Sequence, residues 1–265
     1  MKSISKIALA ASLGLALTFT LSCSGDDSEG DSGSSSSGGT QGGGSSSSDG
    51  GGSSSSVVGG QDGVVYGTPV TYEGEIYQTV VIGEQTWFAK NLNYNASGSK
   101  CVGEDRFLKS ENTKNCDFYG RLYDWSTAMG LESCNSTNCS DLIQPKHQGI
   151  CPDGWHIPSK EDWGELLYVA SGNDTEGFGK NLKAELGWNE GGNGTDKYGF
   201  SALPGGNGSA VDNSGIGDIG KWWTATASDK YNSQAYSLSM SYDSDNAYIT
   251  MGYKSGLYSV RCVKD

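Results

Sequence analysis

Histidine is nearly absent from this sequence: His147 and His156 are the only two in 265 residues. A hydrolytic triad needs a nucleophile, a base and an orienting acid, so any such site would have to be built on one of them. His156 sits in a Trp-His-Ile-Pro turn, which suits a hydrogen-bonded structural role. No cysteine pair has CxxC spacing, which weighs against a zinc site. Basic residues are few, 18 against 31 acidic, giving a formal charge of −13. That balance argues against nucleic acid and against electrostatic adhesion to an anionic membrane. No repeat of 20–50 residues is present, which argues against a solenoid or a propeller.

Long apolar runs are missing except at the start. Lys2 and Lys6 precede an apolar stretch from Ile7 to Leu21, too short for a comfortable membrane span and shaped like an export signal. Residues 1–22 are therefore expected to be a lipoprotein signal peptide. Leu21-Ser22-Cys23 resembles a bacterial lipobox, although Thr20 stands where Leu is usual, and Cys23 is the expected lipidation site. Ordinary signal cleavage, leaving a free thiol, is the alternative. Residues 23–60 are almost entirely Ser, Gly and Asp with no aromatic residue. Such a composition predicts a disordered tether, spanning roughly 30–35 Å for about 36 residues. Lipid anchor and tether together imply a protein of the bacterial envelope, at the outer membrane or cell surface.

Seven cysteines are an odd number, and an exported protein is not expected to leave one over. Setting Cys23 aside leaves Cys101, Cys116, Cys134, Cys139, Cys151 and Cys262, an even set for an oxidising compartment. Six cysteines allow about 15 pairings, and sequence does not choose among them. The favoured arrangement is Cys101–Cys116, Cys134–Cys139 and Cys151–Cys262, two local staples and one long closure.

Residues 61–265 are expected to form one α+β domain with a largely antiparallel sheet, two or three short helices and long disulfide-stapled loops. Val70–Tyr72, Ile76–Ile82 and Gln85–Phe88 read as a β-meander. Leu122, Trp125 and Met129 suggest a helix over 119–129. Ser159 followed by Asp162 resembles a capping box, starting a helix with Trp163, Leu166, Leu167 and Ala170 on one face. Phe178, Leu182 and Leu186 suggest another. Strands are expected over 198–203, 221–226, 235–240, 247–251 and 257–263.

Several blocks share an order with a known family: Thr79 to Tyr94, Tyr119-Gly120-Arg121-Leu122-Tyr123-Asp124-Trp125, Cys151 to Pro158, Tyr198 to Gly206, Trp222 to Thr226, and Ser259 to Asp265. Together they resemble the Fibrobacter succinogenes major paralogous domain. The resemblance implies a bacterial cell-surface lipoprotein module with no established activity. That family is in turn similar in pattern to C-type-lectin-like and formylglycine-generating-enzyme-like folds, which implies a mixed domain with its termini paired in one sheet.

The expected function is non-catalytic binding or adhesion at the cell surface, to polysaccharide or a cell-envelope ligand. An enzyme of the formylglycine-generating or glycosidase type, or a purely structural envelope protein, is the alternative. Glu161, Asp162 and Glu165 are carboxylates on one helix face, usually only a solvated surface. Trp222, Trp223, Tyr236 and Tyr248 are the candidate ligand contacts, with Tyr242 and Tyr253 as further possible ones, because sugar faces pack on aromatic rings as apolar surfaces do. Adjacent Trp222 and Trp223 must point to opposite faces of a strand, so either one is exposed or the sheet is covered on both sides. No cofactor is implied; Asp243, Asp245 and Asn246 are oxygen donors in a turn that calcium could use, without EF-hand spacing.

Overall fold

The computed structural model describes residues 58–59, 63–103, 113–172, 177–209 and 213–265. The expected signal peptide, the expected lipidation site Cys23 and the expected tether as far as residue 57 lie outside them. The folded unit is α+β, with two main sheets that are antiparallel apart from one short parallel pairing, and four short α-helices among the described residues.

The first sheet has six strands in the order Val58–Gly59, Val65–Tyr66, Thr79–Ile82, Gln85–Phe88, Val263–Lys264, Trp155–His156. The last strand of the chain thus inserts between two earlier ones, with Val263 opposite both Trp87 and His156. The Cys151–Cys262 disulfide fastens it there across 111 residues. Cys101–Cys116 and Cys134–Cys139 are the other two bonds, so the three favoured pairings are the three formed.

The second sheet runs Asn213–Ile216, Gly205–Gly208, Ile219–Ala227, Gln234–Ser241, Ala247–Tyr253. Its central strand separates two cores. Trp222 packs on one face with Trp87, Trp163 and Phe200; Trp223 packs on the other with Trp125, Phe88 and Tyr258. Both tryptophans are fully buried. The sheet is covered on both sides, as alternation along a strand requires when neither ring meets water.

The helix Lys160–Ser171 carries the cap read from the sequence. The Ser159 hydroxyl accepts from the Asp162 backbone N–H at 3.1 Å, and the Asp162 carboxylate accepts from the Ser159 N–H at 2.7 Å. Trp163, Leu166 and Ala170 are its buried stripe.

Other expectations are corrected. The segment 119–129 is not one helix. A helix Thr113–Tyr119 ends at Gly120, whose φ of 76° is left-handed and whose Cβ, if present, would fall 2.7 Å from that of Asn91. Arg121–Leu122 then pairs with Lys100–Cys101, and a separate helix Trp125–Met129 starts at the Asp124 cap. The run Ile76–Ile82 is broken at Gln78. Glu75–Tyr77 forms a hairpin with Val70–Tyr72 through Glu73 and Gly74, both at positive φ, while Thr79–Ile82 joins the large sheet. Leu186 lies beyond the helix Phe178–Leu182 and is exposed. The stretch 198–203 makes only a single bridge, Ala202 to Lys183. Residues 257–262 bridge singly to Gly208, Tyr123 and Trp222 before the strand Val263–Lys264.

Candidate functional site

A cleft of about 430 Å³ opens where the Cys134–Cys139 loop runs on to His147, beside the start of the Lys160–Ser171 helix and the end of the central strand. Its polar lining includes His147, His156, Glu161, Asp162, Thr226 and Asp229. Three hydrogen bonds from main-chain N–H groups fix the walls. Ile157 N–H donates to His147 O at 2.9 Å, Ala225 N–H to Pro158 O at 2.8 Å, and Lys160 N–H to the Thr226 hydroxyl at 3.0 Å.

The two histidines are held structurally. His147 places Nε2 2.8 Å from Met129 O, and its Nδ1 accepts from Gln144 N–H at 3.3 Å. These partners set the neutral tautomer with the proton on Nε2. His156 is buried between two carboxylates, with Nδ1 2.8 Å from Asp265 Oδ1 and Nε2 3.5 Å from Asp162 Oδ2. Burial pushes the Asp162 carboxyl up, but hydrogen bonds from His156 and Ser159 outweigh it and hold the group below the usual carboxylate value.

The Ser159 hydroxyl donates to Asp162 at 2.7 Å. The order is therefore Ser–Asp–His, with the acid between the hydroxyl and the imidazole. A triad requires the imidazole in the middle to take the proton, so these three groups make a helix cap, not a nucleophile.

Beside the cleft the sheet surface continues as an aromatic shelf. Tyr236 faces Met251 across the strand pair, and Gln234 faces Tyr253. Tyr236, Met251 and Tyr253 thus share the face that the helix covers further along, at Leu238 and Ile249. Beyond the helix start that cover ends, and Met251 and Tyr253 are exposed. The Lys160 ammonium lies 5.0 Å from the Tyr236 ring centroid and links cleft to shelf.

The other candidates separate. All seven tryptophans are buried, so Trp222 and Trp223 offer no ring to a soluble ligand. Their indole N–H groups are used internally, on Asn91 Oδ1 and on Tyr123 O, each at 2.7 Å. Tyr248 is exposed on the opposite sheet face from Tyr236, opposite Ser239. Tyr253, one of the possible contacts read from the sequence, shares this face with Tyr236; Met251 escaped that reading, and strand alternation from Tyr236 through its register partner would have found it.

The calcium candidates are otherwise engaged. Asp243 accepts from the Ser241 hydroxyl, Asp245 pairs with Lys180 at 3.3 Å, and Asn246 Oδ1 accepts from Gly177 N–H at 2.7 Å. Among the described residues no cluster of three or more His, Cys, Asp or Glu side chains could hold a metal ion.

Fold and site together define a disulfide-stapled α+β domain with a polar cleft and an adjoining aromatic shelf. The Fibrobacter succinogenes major domain family matches residues 80–264, and the chain belongs to that family. No curated protein and no solved structure matches the chain.

Proposed function

We propose that the chain is a lipid-anchored protein of the bacterial cell surface whose folded domain is a non-catalytic binding module for neutral polysaccharide. One observation carries this reading: Lys160 bonds through its N–H to Thr226 of the cleft wall and sets its ammonium over Tyr236, which shares a sheet face with Met251 and Tyr253. Sugar recognition uses that combination, hydroxyls bonding to carboxylates and carbonyls while ring faces lie on aromatic side chains. Glu161, Asp162 and Asp229 against Lys146 make the cleft net acidic, which disfavours uronic-acid polymers.

The chemistry of the other groups supports binding over catalysis. All six cysteines of the domain are in disulfides, leaving no thiolate to act as nucleophile or redox partner. The insertion of the last strand into the first sheet, closed by Cys151–Cys262, supports a lectin-like arrangement with both ends of the domain in one sheet.

The test is retention of the protein on insoluble cellulose, xylan and polygalacturonate, with isolated cell envelope as a fourth matrix. Retention on a neutral polymer and release from polygalacturonate is the expected pattern. Absence from all three polysaccharides would discard the glycan reading. For the anchor, Cys23→Ser is expected to move the protein from the membrane fraction to the soluble one and to abolish incorporation of labelled palmitate.

A further inference from the structure

Lys183 follows the helix Phe178–Leu182, and its side chain is completely enclosed. Its ammonium donates to three main-chain carbonyls: Ser241 O at 2.6 Å, Ser244 O at 2.8 Å and Gly192 O at 3.2 Å. The indole ring of Trp188 lies 4.5 Å away on a further side. No carboxylate forms an ion pair with it among the described residues. Asp245 and Asp243 act from further off, favouring the charge that burial disfavours.

Converging main-chain carbonyls with aspartates around them are the donor set that hard cations such as calcium take. Here the centre is filled. The acidic side chains face outward to Ser241 and Lys180, and the carbonyls face inward to the lysine. An ammonium carries three donors and no acceptor, and here it has three acceptors.

We propose that Lys183 is the resident cation of the Ser241–Asn246 turn, an ammonium of the chain itself standing where a metal ion would otherwise be needed. The turn joins the strands Gln234–Ser241 and Ala247–Tyr253, and this hairpin carries Tyr236, Met251 and Tyr253. Order in the hairpin is therefore independent of divalent metal, and an acidic turn that reads as a calcium loop works without calcium.

The experiment compares the protein with its Lys183→Ala and Lys183→Met variants in calcium, in chelator and with terbium. The unmodified protein is expected to melt at the same temperature in calcium and in chelator and to show no tryptophan-sensitised terbium emission. Lys183→Ala is expected to melt roughly 5–10 °C lower in chelator, to regain part of that loss in calcium, and to sensitise terbium through Trp188. Lys183→Met fills the space with an apolar chain and is expected to be destabilised without rescue.

Stabilisation of the unmodified protein by calcium would overturn the proposal. So would a Lys183→Ala variant with neither calcium rescue nor terbium emission. A Lys183→Ala chain that refolds only with calcium counts as rescue, and one that refolds in neither medium counts against.

Discussion

The side-chain oxygen of Asn91 accepts from both Nε and Nη2 of Arg261, at 3.1 and 2.7 Å, and from the Trp222 indole at 2.7 Å. Arg261 is fully buried, and its remaining donors reach the carbonyls of Phe88, Phe200 and Ser201. Burial draws the guanidinium down to about 9, so it stays cationic at neutral pH. No carboxylate touches it among the described residues; carbonyl oxygens from two segments, 88–91 and 200–201, hold the charge. One amide oxygen thus ties together three of the sequence blocks shared with the family.

Asn91→Leu would remove the acceptor while leaving the buried cation in place. Stripping a buried charge of its partner costs about 3–5 kcal/mol. Arg261→Met should also destabilise, but the double variant should lose less than the sum of the two, because each single change orphans the other group. Urea unfolding of the four proteins measures the coupling. Strict additivity would show that Asn91 and Arg261 do not act as a pair.

What sequence alone could reach, and what it could not, follows from the range of the forces. The Ser159–Asp162 cap and the stripe of Trp163, Leu166 and Ala170 are local, and both were legible. The strands around Trp222, Leu238 and Ile249 were legible from alternation. The strand Gly205–Gly208 was not, because Gly-Gly-Asn-Gly has almost no side chains to alternate and pairs only through its backbone. The helix misread over 119–129 placed Leu122, Trp125 and Met129 at helical spacing, yet Leu122 lies in a strand. The cleft was half visible: His156, Glu161 and Asp162 stood out. Its other wall, at Thr226 and Asp229, arrives through a strand pairing that no local pattern encodes.

The three disulfides should differ in their contribution. Cross-linking restricts the unfolded chain more as the closed loop lengthens. By chain entropy, Cys151–Cys262 with 111 residues of separation should contribute ~5 kcal/mol and Cys134–Cys139 with 5 residues ~2 kcal/mol. Replacing each pair by alanines and measuring unfolding in urea tests the ranking. A Cys134/Cys139 variant less stable than the Cys151/Cys262 variant would mean that local packing outweighs loop closure.

Alkaline conditions should unfold the protein through its buried tyrosines. Tyr123 is fully enclosed and donates to Tyr94 O at 2.7 Å. Burial, reinforced by Tyr77, raises its pKa well above 10, and Arg121 opposes this only in part. The folded chain therefore keeps a proton that the unfolded chain releases from about pH 10 upward. The stabilisation is complete below pH 10 and is lost as pH rises towards the folded-state value. Lys183, Lys221 and Lys254, drawn below 10.5 by burial, act in the opposite sense between their lowered values and 10.5. Tyr123→Phe should cost about 1 kcal/mol at neutral pH for the lost hydrogen bond, while its stability falls less steeply above pH 10. Parallel curves for the two proteins would rule Tyr123 out as the source.

Cleft and shelf can be separated by substitution, because each has an exposed residue outside the two cores, Asp229 and Tyr253. Tyr253→Ala removes an exposed ring that no core residue needs, and Asp229→Ala removes an exposed carboxylate at the cleft wall. Surface changes of this kind usually alter stability by no more than about 0.5 kcal/mol, so a change in retention would report on contact. Loss of a ring that stacks on a sugar is worth about 1 kcal/mol, or about a fivefold loss of affinity at roughly 1.4 kcal/mol per decade. Tyr248→Ala, on the opposite sheet face, should leave binding unchanged and serves as the control. If Tyr248→Ala weakened retention and Tyr253→Ala did not, the binding face would be the other side of the sheet. The Lys221–Ser239–Tyr248 row of cross-strand neighbours would then be the next set to change.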